Sequence, residues 1–165
     1  MKRQIFNIYK FWNGPAFIVL LLIASCGNDE NLVVFTEPEV VRLLSNDSSK
    51  SWTRKIITVD GQTPEISECE LSIETTYYSS NTEQIYIVES INEFCGGITE
   101  QLDSGSWEAL AESSLSDRID RIAYNSGDGV KTIKKILEIT SIYLTTEEEK
   151  DGAIIQETFE SSLPD

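Results

Sequence analysis

The sequence predicts an all-β domain: an up-and-down β-barrel of about eight antiparallel strands, preceded by one short helix. From residue 52 to residue 160, short runs rich in β-branched and aromatic residues follow one another, each bounded by a turn signal. A capping box followed by an apolar stripe precedes this strand-rich region. Strands that pair with their sequence neighbours need no crossover connections. Closing such a sheet into a barrel removes the exposed edge strands that invite aggregation.

The helix is predicted over residues 36–45. Thr36-Glu37-Pro38-Glu39 is a capping box, with Thr36 as N-cap and Glu39 at the third helical position. Pro38 lies in the first turn, where its missing N–H leaves no hydrogen bond unmade. The apolar stripe that follows consists of Val40, Val41, Leu43 and Leu44.

Eight strands are predicted after the helix. The strongest turn signals between them are Asp60-Gly61, Ser79-Ser80-Asn81, Asn125–Gly129 and Lys150-Asp151-Gly152. Residues 109–117 are expected to form a helical insertion between the fourth and fifth strands. The acidic hairpin at residues 147–151 lacks EF-hand spacing, so we interpret it as a solvated turn and predict no metal site. The predicted strands are 52–59, 71–78, 85–88, 98–103, 119–124, 132–139, 142–147 and 153–160.

The N-terminus has the features of an export signal. Lys2, Arg3 and Lys10 precede a short aliphatic run over residues 16–24, which is too short to span a bilayer. Ile23-Ala24-Ser25-Cys26 resembles the lipobox of bacterial lipoprotein precursors. The resemblance implies a signal peptide at 1–25, lipidation of Cys26 with chains such as palmitate, and a lipidated tether at 26–35. An ordinary signal peptide with an incidental cysteine is the alternative.

The charge and cysteine content restrict the function further. The formal net charge of −15 argues against nucleic-acid binding. The absence of histidine excludes Ser-His or Cys-His catalysis. Gly27 follows Cys26, so the Asp that retains lipoproteins at the inner membrane is absent; we expect outer-membrane attachment on the periplasmic or cell-surface face. With Cys26 lipidated, Cys69 and Cys95 form an even pair that predicts a disulfide in an oxidising compartment.

Residues 36–160 resemble the lipocalin-like domains of small bacterial lipoproteins. Lys50-Ser51-Trp52 is similar to the opening of the family's first strand, and Gly105-Ser106-Trp107 is similar to its Gly-Thr-Trp step. Glu68-Cys69-Glu70, with Cys95 as partner, and the strand pair at 135–144 also match in order and spacing. The resemblance implies a barrel domain at 36–165 and a cell-envelope location. It implies no catalytic residue and no cofactor.

Four aromatic residues are the candidate ligand contacts: Trp52, Tyr77, Tyr86 and Trp107. Each has a structural alternative, because small barrels fill with side chains and aromatic pairs stabilise neighbouring strands. The expected function is non-catalytic binding of a small apolar or amphipathic ligand in the barrel. The alternative is a structural or protein-interaction subunit with a packed barrel interior. A cavity of a few hundred Å³ distinguishes the first from the second.

Overall fold

The computed structural model of the chain describes residues 35–91, 99–113 and 116–162. Cys26 and Cys95 lie outside these ranges, and so does the side chain of Cys69. Lipidation and the disulfide therefore stay predictions. Within the described ranges, no helix is both long enough and apolar enough to cross a membrane.

The fold is a closed barrel of eight antiparallel strands in sequence order, in which the last strand pairs with the first. This confirms the predicted fold class. Each strand pairs with its neighbours in the chain, so all connections are local. The elements are α1 (Glu37–Ser45), β1 (Ser49–Val59), α2 (Glu68–Leu71), β2 (Ile73–Ser79), β3 (Gln84–Ser90), β4 (Glu100–Ala111), β5 (Ile119–Ser126), β6 (Lys131–Ile139), β7 (Tyr143–Lys150) and β8 (Ala153–Ser161).

Helix α1 starts as predicted. The Glu39 carboxylate accepts hydrogen bonds from the backbone N–H and the hydroxyl of Thr36, both at 2.8 Å. Both bonds hold the pKa of Glu39 below its usual value, and the bond from the Thr36 backbone has the larger effect. The helix ends at Asn46, which adopts the left-handed conformation (φ 50°) and donates its N–H to the Arg42 carbonyl.

Helix α1 closes one end of the barrel, where β1 begins and β8 ends; we call it the helix end. The indole N–H of Trp52 donates to the Leu44 carbonyl at 2.9 Å. Lys50 Nζ donates to the carbonyl oxygens of Leu43 (3.4 Å) and Ser141 (2.5 Å), and it lies 4.4 Å from the centre of the Trp52 ring. The side chains of Lys50 and Trp52 thus donate to the carbonyls of Leu43 and Leu44 at the helix C-terminus, which lack partners within the helix.

The opposite end, where β1 ends and β8 begins, is the open end. Two Asp-Gly pairs make tight turns there, as predicted. Asp60 and Gly61 have φ of 51° and 74°, and Asp151 and Gly152 have φ of 53° and 82°. Positive φ at both central residues suits the right-handed twist of a two-residue hairpin.

Several predicted element boundaries are wrong. Residues 109–111 are not helical: β4 runs through Gly105-Ser106-Trp107 to Ala111 and pairs with β5 from Gly105 to Ala111. Leu71 ends the short helix α2, so β2 begins at Ile73. Strand β1 starts at Ser49, three residues earlier than predicted.

The apolar core fills the half of the barrel nearest the helix. Val40 and Leu44 of α1 are fully buried, as are Trp52 and Ile122 beneath them. Phe35 pairs with Ile119 at this end, so the chain enters the barrel beside the helix. The rest of the core cluster consists of Tyr77, Tyr86, Trp107, Ile119, Tyr124, Ile136, Ile139, Leu144 and Phe159.

Candidate ligand cavity

A cavity of about 320 Å³ occupies the barrel interior toward the open end. Its most buried lining residues, among them Thr146 and Phe159, form the floor, whereas Leu102 and Val130 are about half exposed and form the mouth. Apolar, aromatic and polar side chains alternate around the wall. The lining consists of Thr75, Tyr77, Tyr86, Val88, Leu102, Asp103, Tyr124, Ser126, Asp128, Val130, Thr132, Lys134, Thr146 and Phe159.

Three tyrosines form an aromatic cluster in the cavity wall. The ring of Tyr86 meets that of Tyr124 edge-on, with centroids 5.1 Å apart, and Tyr77 lies 6.2 Å from Tyr124. The hydroxyls of Tyr77 and Tyr124 are hydrogen-bonded to each other. Burial raises the pKa of all three hydroxyls, that of Tyr86 to about 12. The cluster is therefore neutral at physiological pH and presents both ring faces and hydroxyls.

Asp103 places a carboxylate on the cavity wall. It accepts hydrogen bonds from the Tyr86 hydroxyl (2.7 Å), the Ser126 hydroxyl and the backbone N–H of Ser104 (2.8 Å). Partial burial would raise the pKa of Asp103, but these three bonds outweigh it and the pKa lies below its usual value. The side chain is therefore ionised at neutral pH.

A buried ion cluster centred on Glu157 of β8 borders the cavity, and Lys134 is its member in the cavity lining. Glu157 pairs with Arg54 of β1 at 2.8 Å and with Lys134 of β6. Lys134 also lies 3.9 Å from Glu148 of β7. Burial would raise the pKa of Glu157, but the Lys134 ammonium and the Arg54 guanidinium outweigh burial and lower it. The cluster joins four consecutive strands of the barrel, β6, β7, β8 and β1. Its two positive charges are matched by two carboxylates.

Thr146 places a hydroxyl on the floor that has no hydrogen-bond partner among the described residues. Its side chain is only 1% exposed and lines the cavity. Buried polar atoms in folded proteins are nearly always satisfied by protein, water or ligand. The Thr146 hydroxyl therefore leaves one hydrogen-bonding position open on the cavity floor.

The four aromatic residues proposed from the sequence divide into two pairs. Tyr77 and Tyr86 line the cavity. Trp52 is fully buried beneath helix α1, and Trp107 packs edge-on against Tyr77 with centroids 5.5 Å apart. The indole N–H of Trp107 is directed at the carbonyls of Tyr78 and Ile85, at 3.2 and 3.1 Å. Neither tryptophan is among the cavity-lining residues.

Sequence reasoning missed Asp103, Tyr124, Lys134 and Thr146. Tyr124 could have been found, because Ile122 and Tyr124 alternate inward along the strand predicted at 119–124. Asp103 was not, because an irregularity in the β3–β4 register between Val88 and Glu89 shifts which residues of β4 face inward.

A second, shallower recess of about 540 Å³ lies outside the barrel, between the β2–β3 hairpin and Ser106-Trp107 of β4. Its lining carries a single charged side chain, Glu83. Within residues 35–91, 99–113 and 116–162, no group of three or more His, Cys, Asp or Glu side chains is arranged to hold a metal ion. The interior cavity is therefore the stronger candidate site.

Comparison with known proteins assigns the chain to no family, because neither a family model nor a curated protein matches it. The chemistry of the cavity is then the main guide to function. That chemistry consists of three neutral tyrosines, the carboxylates of Asp103 and Asp128, one ion cluster that Lys134 joins, and the hydroxyl of Thr146.

Proposed function

We propose that this protein is a lipid-anchored, non-catalytic binding protein of the cell envelope that holds a small amphipathic ligand in its barrel cavity. The cavity is the observation that carries the proposal. Its volume of about 320 Å³ lies at the lower end of the range typical of ligand pockets, about 300–1,000 Å³. A barrel with a fully packed interior would have favoured a structural or interaction role instead.

The lining favours an amphipathic ligand over a purely apolar one. Val88, Leu102, Val130 and Phe159 supply apolar surface. Seven other lining residues are polar or charged: Thr75, Asp103, Ser126, Asp128, Thr132, Lys134 and Thr146. An entirely apolar ligand would strip water from these groups without replacing its hydrogen bonds, which costs free energy. A ligand with one polar group and one apolar body matches both kinds of surface.

Attachment to the outer membrane through lipid on Cys26 completes the proposal. Two or more acyl chains hold a protein stably on a bilayer, at about 0.8 kcal/mol for each buried CH₂ group. The Ile23-Ala24-Ser25-Cys26 sequence and the likeness of residues 36–160 to lipocalin-like lipoprotein domains support this location. The attached barrel faces the periplasm or the cell exterior.

Native mass spectrometry of the protein extracted from membranes tests the binding function. We expect a small molecule that stays bound in the gas phase and is released on denaturation. Val88→Trp fills the cavity and should abolish this added mass. Ile87→Trp places the same bulk on the neighbouring position, which faces the other side of the sheet, and should retain it. A wild-type protein that is consistently free of ligand would contradict the proposal.

Cys26→Ser tests the anchor separately. The variant should incorporate no labelled palmitate, and its precursor should remain uncut by the lipoprotein signal peptidase. Palmitate incorporation at wild-type level in this variant would show that Cys26 is not the lipidation site.

A further inference from the structure

We infer that the ligand of the cavity is an organic cation, a small amphiphile whose ammonium group binds at Asp103. The inference rests on the proposed function and adds the charge of the ligand to it. Three features of the cavity support it: the partners of Asp103, the pairing of the cavity's own cations, and the aromatic rings beside the carboxylate.

The negative charge of Asp103 has no cationic partner within the described part of the chain. Its three hydrogen-bond donors are two hydroxyls and one backbone amide, all of them neutral. A carboxylate offers about four lone-pair sites. Three are used, so Asp103 keeps both its charge and room for one further donor. An ammonium group supplies that donor together with the opposite charge.

The cavity's own cations are already paired and do not neutralise Asp103. Lys134, the one cation among the lining residues, contacts Glu157 and lies 3.9 Å from Glu148. Arg54 is bonded to the same Glu157. A second carboxylate, that of Asp128, lies at the mouth and makes no ion pair in the described chain; it accepts the N–H of Val130. The unpaired charge of the cavity is therefore negative.

Aromatic rings stand beside the free carboxylate, and this combination favours a cation over a neutral donor. Tyr86 donates its hydroxyl to Asp103, and its ring packs edge-on with that of Tyr124. The faces of tyrosine rings attract cations within about 6 Å of their centroids. An ammonium at Asp103 would share the cavity with these rings, and Val88 and Phe159 supply apolar lining for its body.

The same charges disfavour anionic amphiphiles such as fatty acids. An anion entering the mouth passes Asp103 and Asp128, and the chain as a whole carries a net charge of −15. Lys134 attracts an anion only weakly, because the carboxylates of Glu157 and Glu148 already offset its charge. The unpartnered Thr146 hydroxyl on the floor accepts or donates a hydrogen bond and so does not select against a cation.

Three probes of similar size and different charge test the inference: phenethylammonium, 2-phenylethanol and 3-phenylpropanoate. Isothermal titration calorimetry on the full protein in detergent measures each affinity. We expect phenethylammonium to bind at least tenfold more tightly than the alcohol, and the carboxylate to bind most weakly. Added salt should lower the affinity for the ammonium and leave the affinity for the alcohol unchanged, because salt screens only the charged contact. Equal affinities for the ammonium and the alcohol would overturn the inference.

Asp103→Asn assigns the preference to one residue. The amide keeps the size of the side chain and removes its charge, so the tenfold preference for the ammonium should disappear while the affinity for the alcohol stays. Asp117→Asn is the matched control, since it removes the same charge from an exposed residue at the helix end, and it should keep the preference. If Asp103→Asn does not fold, the order of the three affinities for the wild-type protein still decides whether the cavity prefers a cation.

The experiment separates this inference from the proposed function. Suppose that 2-phenylethanol binds, that Val88→Trp abolishes its binding, and that the ammonium binds no more tightly than the alcohol. This result would overturn the inference and still support a ligand-binding barrel. Failure of all three probes to bind would overturn the inference and also remove support for a ligand site in the cavity.

Discussion

Glu157 is the residue on which the charges of the barrel interior depend. Its side chain is 10% exposed and is bonded to Arg54 and Lys134, which come from two other strands. Removing one member of a buried ion cluster leaves the others without compensation, and this costs more than an isolated surface pair contributes. Glu157 thus stabilises the fold and also keeps Lys134 from acting as an anion site.

Glu157→Gln should lower the free energy of unfolding by about 3 kcal/mol at pH 7, because it removes the buried negative charge that Arg54 and Lys134 both contact. Urea unfolding measures the change. Glu160→Gln is the control: Glu160 pairs with Lys55 on the exposed surface at 3.5 Å, so its loss should cost less than about 1 kcal/mol. Equal effects of the two substitutions would contradict the structural role of the cluster.

The contribution of Glu157 should depend on pH in one direction. The folded state lowers the pKa of Glu157, so its stabilisation is present above the ordinary carboxyl pKa of about 4.3 and is lost as the pH falls through the folded-state value. The difference in urea midpoint between wild type and Glu157→Gln should therefore shrink below about pH 4.3. A difference that grows on acidification would show that another group carries the effect.

At the scale of elements, the pairing of β4 with β5 depends on Gly105. A Cβ atom at this position would lie 2.0 Å from the backbone oxygen of Asn125. Gly105→Ala should therefore cost about 3 kcal/mol or more, or prevent folding, because backbone cannot move aside as a side chain does. Gly127→Ala is the control, since its Cβ would lie 3.5 Å from the Ser104 oxygen, and its stability should stay within about 1 kcal/mol of wild type. Thermal unfolding compares the two.

The docking of α1 depends on the bond from Trp52 to the Leu44 carbonyl. Trp52→Phe removes the only nitrogen of the side chain and leaves a buried carbonyl without its donor, which should cost about 1–3 kcal/mol in urea unfolding. Tyr143→Phe, which removes a hydroxyl from an exposed ring, should change stability by less than about 0.5 kcal/mol. A Trp52→Phe variant as stable as wild type would mean that packing alone holds the helix.

The sequence predicted those elements whose signals are local. The Thr36–Glu39 capping box and the Asp-Gly pairs at 60–61 and 151–152 determine backbone conformation within a few residues, so they could be recognised without tertiary information. The strand at residues 109–111 could not be recognised in this way, because Ala109, Leu110 and Ala111 have high helical propensity and pairing with β5 outweighs it.

The cavity was less predictable than the barrel around it. Tyr77 and Tyr86 were named as candidates because aromatic residues on adjacent strands are visible in the sequence. The ion cluster joins Arg54, Lys134 and Glu157, which are up to 103 residues apart along the chain, and no local pattern relates them. Only the closed topology brings β1, β6, β7 and β8 around one space.

At the scale of the whole molecule, acidic charge is the dominant surface property. The net charge of −15 makes the folded chain repel itself, and most of the ion pairs on its exterior contribute little. Raising the salt concentration from about 0.01 M to about 0.1 M shortens the Debye length from about 30 Å to about 10 Å. We expect the melting temperature to rise by a few degrees, a gain on the order of 1 kcal/mol. A falling melting temperature would mean that attractive ion pairs outweigh the repulsion.

An even number of strands brings Phe35 and Ser162, the first and last described residues, to the same side of the barrel. Phe35 pairs with Ile119 at the helix end, and Ser162 donates its N–H to the Ser51 carbonyl at the same end. A partner domain or surface joined directly beside either residue would therefore contact the closed base and leave the mouth of the cavity unobstructed. The barrel can thus be immobilised through either residue with its mouth exposed to solution.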